Sequence, residues 1–130
     1  MTYKIVSKPH AWWPIRFNGV TEEGEIVTNE IQGRFVILDE DEFKQLETDM
    51  MPALLGDAAD NADKPLSAQF VPFVQRMMVD WKDVLDEDGS SLPFNPENLG
   101  RLLRVPNFAW GVATAFREVR RGEPERRKGN

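Results

Sequence analysis

A chain of 130 residues with no cysteine is long enough to bury about two-thirds of its unfolded surface around one core, and it offers no disulfide framework or thiolate metal site. The net charge of −6 and a pI near 4.8 argue against a nucleic-acid-binding face. No run of about eighteen apolar residues provides a membrane span, and the start, MTYKIVSKPH, lacks the apolar block of a signal peptide. A soluble protein of the cytoplasm is therefore expected, with no membrane and no nucleic acid among its partners.

The first forty residues predict β-structure. Tyr3 and Ile5 alternate with polar neighbours, as do Trp13, Ile15 and Phe17, and a third apolar stretch runs from Ile31 through Phe35, Val36, Ile37 and Leu38. Asn18-Gly19 and Glu23-Gly24 stand where tight turns would go. Pro9 and Pro14 place their segments at an edge or a bend, and Gly33 is a candidate bulge. Three or four antiparallel strands are expected.

Helix begins near Asp39. Asp39 is a good N-cap, Glu42 three residues on can close a capping box, and Leu38 with Phe43 can form a hydrophobic staple. Phe43, Leu46 and Met50 give this helix its apolar stripe. The polar run 56–65, GDAADNADKP, reads as a loop. A second helix is predicted from the spacing of Phe70, Phe73, Val74, Met77, Trp81, Val84 and Leu85, with Pro72 in its first turn or at a kink.

The turn Asp86-Glu87-Asp88-Gly89 then reverses the chain, and Leu92 and Phe94 tuck back against the second helix. Asn95 and Pro96 cap and open a third helix carrying Leu99, Leu102 and Leu103. Pro106 stops it and starts a fourth, running through Phe108, Val112, Phe116 and Val119 to Gly122 and Pro124. The expected architecture is α+β: a small N-terminal antiparallel sheet followed by about four helices. One domain is expected over 1–122, β-rich over 1–38 and helical over 39–122, with 123–130 a disordered basic tail.

The residues do not converge on catalysis. His10 is the single histidine and has no nucleophile or carboxylate cluster beside it in sequence. An EF-hand alignment with Gly89 at position six places Asp86 and Asp88 well but leaves Val84 and Asn95 at the two end-ligand positions, which defeats it. The acidic run 39–42 is explained by capping, and no phosphate loop or nucleophile elbow is present. A non-enzyme without cofactor or metal is expected. Charge is unevenly spread: residues 1–99 hold 8 Lys and Arg against 19 Asp and Glu, whereas residues 100–130 hold 8 against 3. An acidic body with a basic end suggests self-complementary packing or an acidic partner for Arg117, Arg120 and Arg121. Trp81 and Trp110 read as core. Adjacent Trp12 and Trp13 cannot both face inward on one strand.

From Trp81 onward the sequence W-K-x-V-x-D-E-D-G-x-x-L-P-F-N-P-E-N-L-x-x-L-L-x-x-P, bounded by a Phe/Met-rich helix and an Ala/Phe-containing one, resembles the tail assembly chaperones of long-tailed phages and prophages. Trp81, Val84, Asp86, Asp88, Gly89, Pro93, Phe94, Pro96, Leu99, Leu103 and Pro106 carry the likeness, which covers about residues 66–121. The resemblance implies a small non-catalytic factor of the host cytoplasm that binds the apolar tape measure protein and brings tail tube subunits to it. Some such factors are also made as a longer frameshifted product, which would extend the basic C-terminal end. Met50, Met51, Met77, Met78, Phe70 and Phe73 are the adaptable apolar residues from which a holding face is expected. Trp12, Phe70 and Met78 are its surface candidates. The alternatives are a head–tail joining or tail completion protein of a prophage, and an acidic regulator that binds a host protein.

Overall fold

A computed structural model describes residues 1–54 and 66–122; the expected loop 56–65 and basic tail 123–130 lie outside the described residues. Strands β1 (His10–Val20), β2 (Ile26–Val36) and β3 (Met78–Lys82) form one antiparallel sheet in the order β1-β2-β3. Helices α1 (Glu40–Leu54) and α2 (Leu66–Met77) come between β2 and β3, and α3 (Pro96–Leu103) and α4 (Phe108–Arg121) follow. The α+β arrangement is as the sequence predicts, with three strands.

The strands are placed differently from expectation in three respects. Tyr3 and Ile5 lie outside the sheet and are exposed, because β1 starts only at His10. Asn18-Gly19 is inside β1, paired with Thr28 and Val27, and the hairpin turns at Thr21–Glu25 instead. There the Thr21 carbonyl accepts from Gly24 N–H, and Gly24 has a φ of 85°, which a glycine adopts without strain. Pro14 is tolerated within β1 because β1 is an edge strand.

The third difference is the largest. The predicted second helix ends at Met77, and Met78 to Lys82 is the third strand. Gly33 pairs with Trp81 and Phe35 with Met78, so the register shifts between Arg34 and Phe35 and Val79 is the extra residue. The bulge is therefore at Val79 rather than at Gly33. It sets Met78 and Trp81, three residues apart, on the same face, opposite Phe35 and Gly33. Val84 is buried beyond the strand, and Leu85 is exposed. Pro72 lies well inside α2, not in its first turn.

One sheet face carries Trp13, Ile15, Ile31, Phe35, Met78 and Trp81, and the helices cover it. Gly33 must lack a side chain here: a Cβ would stand 2.7 Å from Met78 Sδ and 2.8 Å from Ile15 Cδ1. Helix α4 runs antiparallel to β1 along this face. Phe108 meets Phe17 edge-on at 5.2 Å, Gly111 sits against the Arg16 carbonyl, and Trp13 Nε1 donates to Glu118 Oε1 at 3.1 Å. That bond satisfies the indole of the inward tryptophan and a carboxylate that is only 9% exposed.

The helix ends follow their sequence signals. Asp39 and Glu42 form the reciprocal capping box, Glu42 N–H to Asp39 Oδ1 at 2.9 Å and Asp39 N–H to Glu42 Oε1 at 3.1 Å. Asn95 caps α3 by accepting from Asn98 N–H, with Pro96 in the first turn. Asn107 precedes α4 in the left-handed region and does not cap it; its Nδ2 donates to the Asn18 carbonyl at 3.0 Å, pinning the start of α4 to β1.

Residues 83–95 form the joint between β3 and α3. Leu92 N–H returns to the Val84 carbonyl, Asp86 N–H to the Ser90 carbonyl, and Leu85 bridges Ser91. Trp81 Nε1 donates to the Leu92 carbonyl at 2.7 Å, and Phe94 meets the Trp81 ring edge-on at 5.0 Å. Leu92 and Phe94 thus dock as expected, but against a strand instead of a helix.

Candidate functional site

Between α1, the end of α2 and α4 lies an open groove of about 220 Å³. Its floor is Leu46, Met77 and Phe116, all buried; Phe43, Met50 and Ala113 are half-buried along its sides; Met51, Glu47 and Arg117 are exposed at its rim. The local sequence explains each wall. On α1, Phe43, Leu46, Met50 and Met51 recur at helical spacing, so one face of that helix is apolar. On α4, Ala113, Phe116 and Arg117 stand three and four residues apart on one face, and Ala113 keeps that wall low. Phe43 and Phe116 meet across the floor at 5.9 Å.

Trp110 continues the groove along α4. It stands one turn before Ala113, is 70% exposed, and lies 5.7 Å from the Arg117 guanidinium. A large exposed indole on α4 and an exposed Met51, at 48%, on α1 are residue types suited to a binding surface that adapts to its partner. The two walls differ in charge. The charged side chain lining the groove from α1 is Glu47 and from α4 it is Arg117, whereas Asp49 is paired with Arg76, Glu40 with Lys44, and Arg120 lies over the Phe43 ring.

The six residues singled out from the sequence fall in different places. Arg117 lines the groove. Arg120 is half-buried over the Phe43 ring at 3.9 Å, with Nε donating to the Leu38 carbonyl at 3.4 Å, so it holds α4 to the chain before α1. Arg121 is exposed on the last turn of α4. Trp12 is on the other side of the sheet, half-buried beneath Lys82 Nζ at 4.0 Å from its ring. Phe70 is half-buried on α2, edge-on to Phe73 at 6.2 Å. Met78 is not at the surface: it is fully buried on the inner sheet face, because the helix that would have exposed it has already ended.

Trp110, expected in the core, is instead exposed on α4. Trp110 lies between apolar residues of α4, but the inward stripe of that helix is Phe108, Gly111, Val112, Ala115, Phe116 and Val119, which puts position 110 outside. The available signal was small: Ala109, Ala113 and Thr114 flank Trp110 on a face too small-sided to bury an indole.

Other recesses have different chemistry. A cleft of about 470 Å³ is lined by Lys8, His10, Glu42, Gln45 and Arg76. Arg76 there is already bound to Asp49 at 2.8 Å, an ion pair that holds the Asp49 carboxyl below its ordinary range. The carboxylates of the 86–89 turn are likewise engaged by local donors. Asp86 accepts from Glu87 N–H and Arg101, and Asp88 accepts from Ser90, and both titrate below the ordinary carboxylate range for that reason. Among the described residues no three of His, Cys, Asp and Glu are grouped to hold a metal ion, and no helix is long and apolar enough to cross a membrane. No family profile, curated protein or solved structure matches the chain.

Proposed function

We propose that this protein is a non-catalytic holding factor that shields an apolar segment of a client protein, and specifically a tail assembly chaperone whose client is a tape measure protein and whose second partner is the tail tube subunit. The observation that carries the reading is the groove between α1 and α4, Met-rich and open, with Trp110 exposed at its end. Flexible thioethers and an exposed indole fit an apolar helix face of variable sequence, while a rigid floor keeps the groove in shape. The resemblance over residues 66–121 names the client class; the groove supplies a surface suited to it.

Co-expression tests this. A tape measure protein that precipitates alone should stay in the soluble fraction with this chain, and much less of it with Met51→Asp or Trp110→Ala. Equal precipitation with and without the chain would sink the reading. Recovery of the chain in purified virions by mass spectrometry would favour instead the head–tail joining alternative.

A further inference from the structure

We propose that a second copy of this chain occupies the same groove, forming a two-fold dimer whose axis runs along the groove. Charge on the two rims matches a second copy. The α1 wall ends in Glu47 and the α4 wall in Arg117, and both are exposed. Among the described residues neither is in an ion pair, unlike Glu30 with Arg16, Glu40 with Lys44, Asp49 with Arg76 and Asp86 with Arg101. A two-fold axis along the groove exchanges its two sides. The α1 wall of each copy then lies over the α4 wall of the other, and Glu47 meets Arg117 twice. An axis across the groove would instead set acid over acid and base over base. An isologous contact needs a self-complementary patch, and a groove with walls of opposite sign is one.

The apolar part of the surface fits the same arrangement. Met51 at 48% and Trp110 at 70% exposure flank the groove from opposite helices, so the same rotation brings Met51 of one copy toward Trp110 of its partner and removes both from water. A stable dimer buries about 800 Å² on each copy, which is more than the groove alone and therefore draws in the outer turns of α1 and α4. Like-charge contacts across an interface cost enough to exclude the wrong register. The dimer covers the surface that the client reading uses, so client and second copy exclude one another, and the chaperone is held as a dimer until a client is present.

Charge exchange decides the matter. The measurement is sedimentation equilibrium of the full chain from about 1 to 500 µM, with circular dichroism to confirm folding. The wild-type mass should rise from 14.9 kDa toward twice that value. Glu47→Arg alone and Arg117→Glu alone should each weaken dimerisation by about tenfold or more, because each change acts at two symmetric contacts. Mixing the two variants in equal amounts should restore the dimer, since one then presents arginine at both rim positions and the other glutamate at both. The doubly exchanged chain E47R/R117E should dimerise by itself, and serves if either single variant fails to fold. A wild-type chain that stays monomeric throughout overturns the proposal. So does a dimer indifferent to both changes, or a mixture of folded variants that does not recover. No client is present in this experiment, so its failure leaves the client reading intact, and failed co-expression leaves the dimer intact.

Discussion

Gly100 and Gly111 both lie in helices, yet alanine should have opposite effects at the two positions. A Cβ at Gly100 would stand 3.7 Å from Val71 Cγ2, an ordinary contact between α2 and α3. Helix propensity then decides, and Gly100→Ala should stabilise the fold by about 0.5–1 kcal/mol. At Gly111 a Cβ would stand 2.6 Å from the Arg16 carbonyl oxygen, which is backbone and cannot rotate away. Helix α4 would have to lift from β1, breaking the close packing of Ile15, Phe17 and Phe108. Gly111→Ala should therefore lose about 1–3 kcal/mol net of the propensity gain. Urea unfolding of the two variants measures both, and shifts of the same sign would show that α4 is not held against β1 as described. Chemically similar residues also part ways by position at Trp81 and Trp110. The first is buried with its N–H on the Leu92 carbonyl, and the second is open to solvent on α4.

At the scale of the element, local punctuation was readable in the sequence and pairing was not. The capping box at Asp39 and Glu42, the Asn95 cap with Pro96, and Gly122 closing α4 in the left-handed region all form as their residue types require, because each depends on chain a few residues away. The stretch Phe70 to Leu85 misled for a physical reason. A bulged strand places residues three apart on one face, and Met78 and Trp81 have the spacing of a helix while belonging to a sheet. Only β2, some forty residues earlier, distinguishes the two. Tyr3 and Ile5 show the converse: their alternation suits a strand, and the sheet has no place for them. The joint after β3 carries a prediction of its own. Asp88 is held below its ordinary pKa of 3.8 by its bonds to Ser90, with Asp86 likewise lowered by Glu87 N–H and Arg101. A lowered folded-state value means stability that is present above the unfolded pKa and is lost as pH falls through the folded one. Asp88→Asn should thus be less stable than wild type near neutral pH, and the gap should close as pH falls through the ordinary carboxylate value of 3.8 and below it. Thermal unfolding across that range checks it; a gap that persists undiminished in acid would show that the carboxylate charge does not support the turn.

At the scale of the whole molecule, the groove brings together α1, α2 and α4, elements that sequence proximity does not join, and this limited what could be read beforehand. Met50, Met51 and Met77 were legible as adaptable apolar residues and do line it, and Arg117 was legible as an available cation. Trp110 was missed, and Met78 was misassigned, because exposure depends on which face of an element the rest of the fold covers. The same assembly divides the groove into two kinds of residue with separable roles. Leu46, Met77 and Phe116 form a buried floor, and Phe116→Ala should cost about 3–5 kcal/mol and lower the unfolding midpoint sharply. Met51 and Trp110 are exposed rim residues, and Met51→Asp or Trp110→Ala should stay within about 1 kcal/mol of wild type. Client solubilisation and dimer formation should nevertheless both fall in these rim variants, since each process buries the rim. Measuring unfolding midpoint, dimer mass and client solubility on one set of variants separates a binding surface from a core. If the rim substitutions cost as much stability as Phe116→Ala, the groove is part of the core and the holding role fails. If they leave stability, dimer and client solubility all unchanged, the face is inert and the partner surface lies elsewhere.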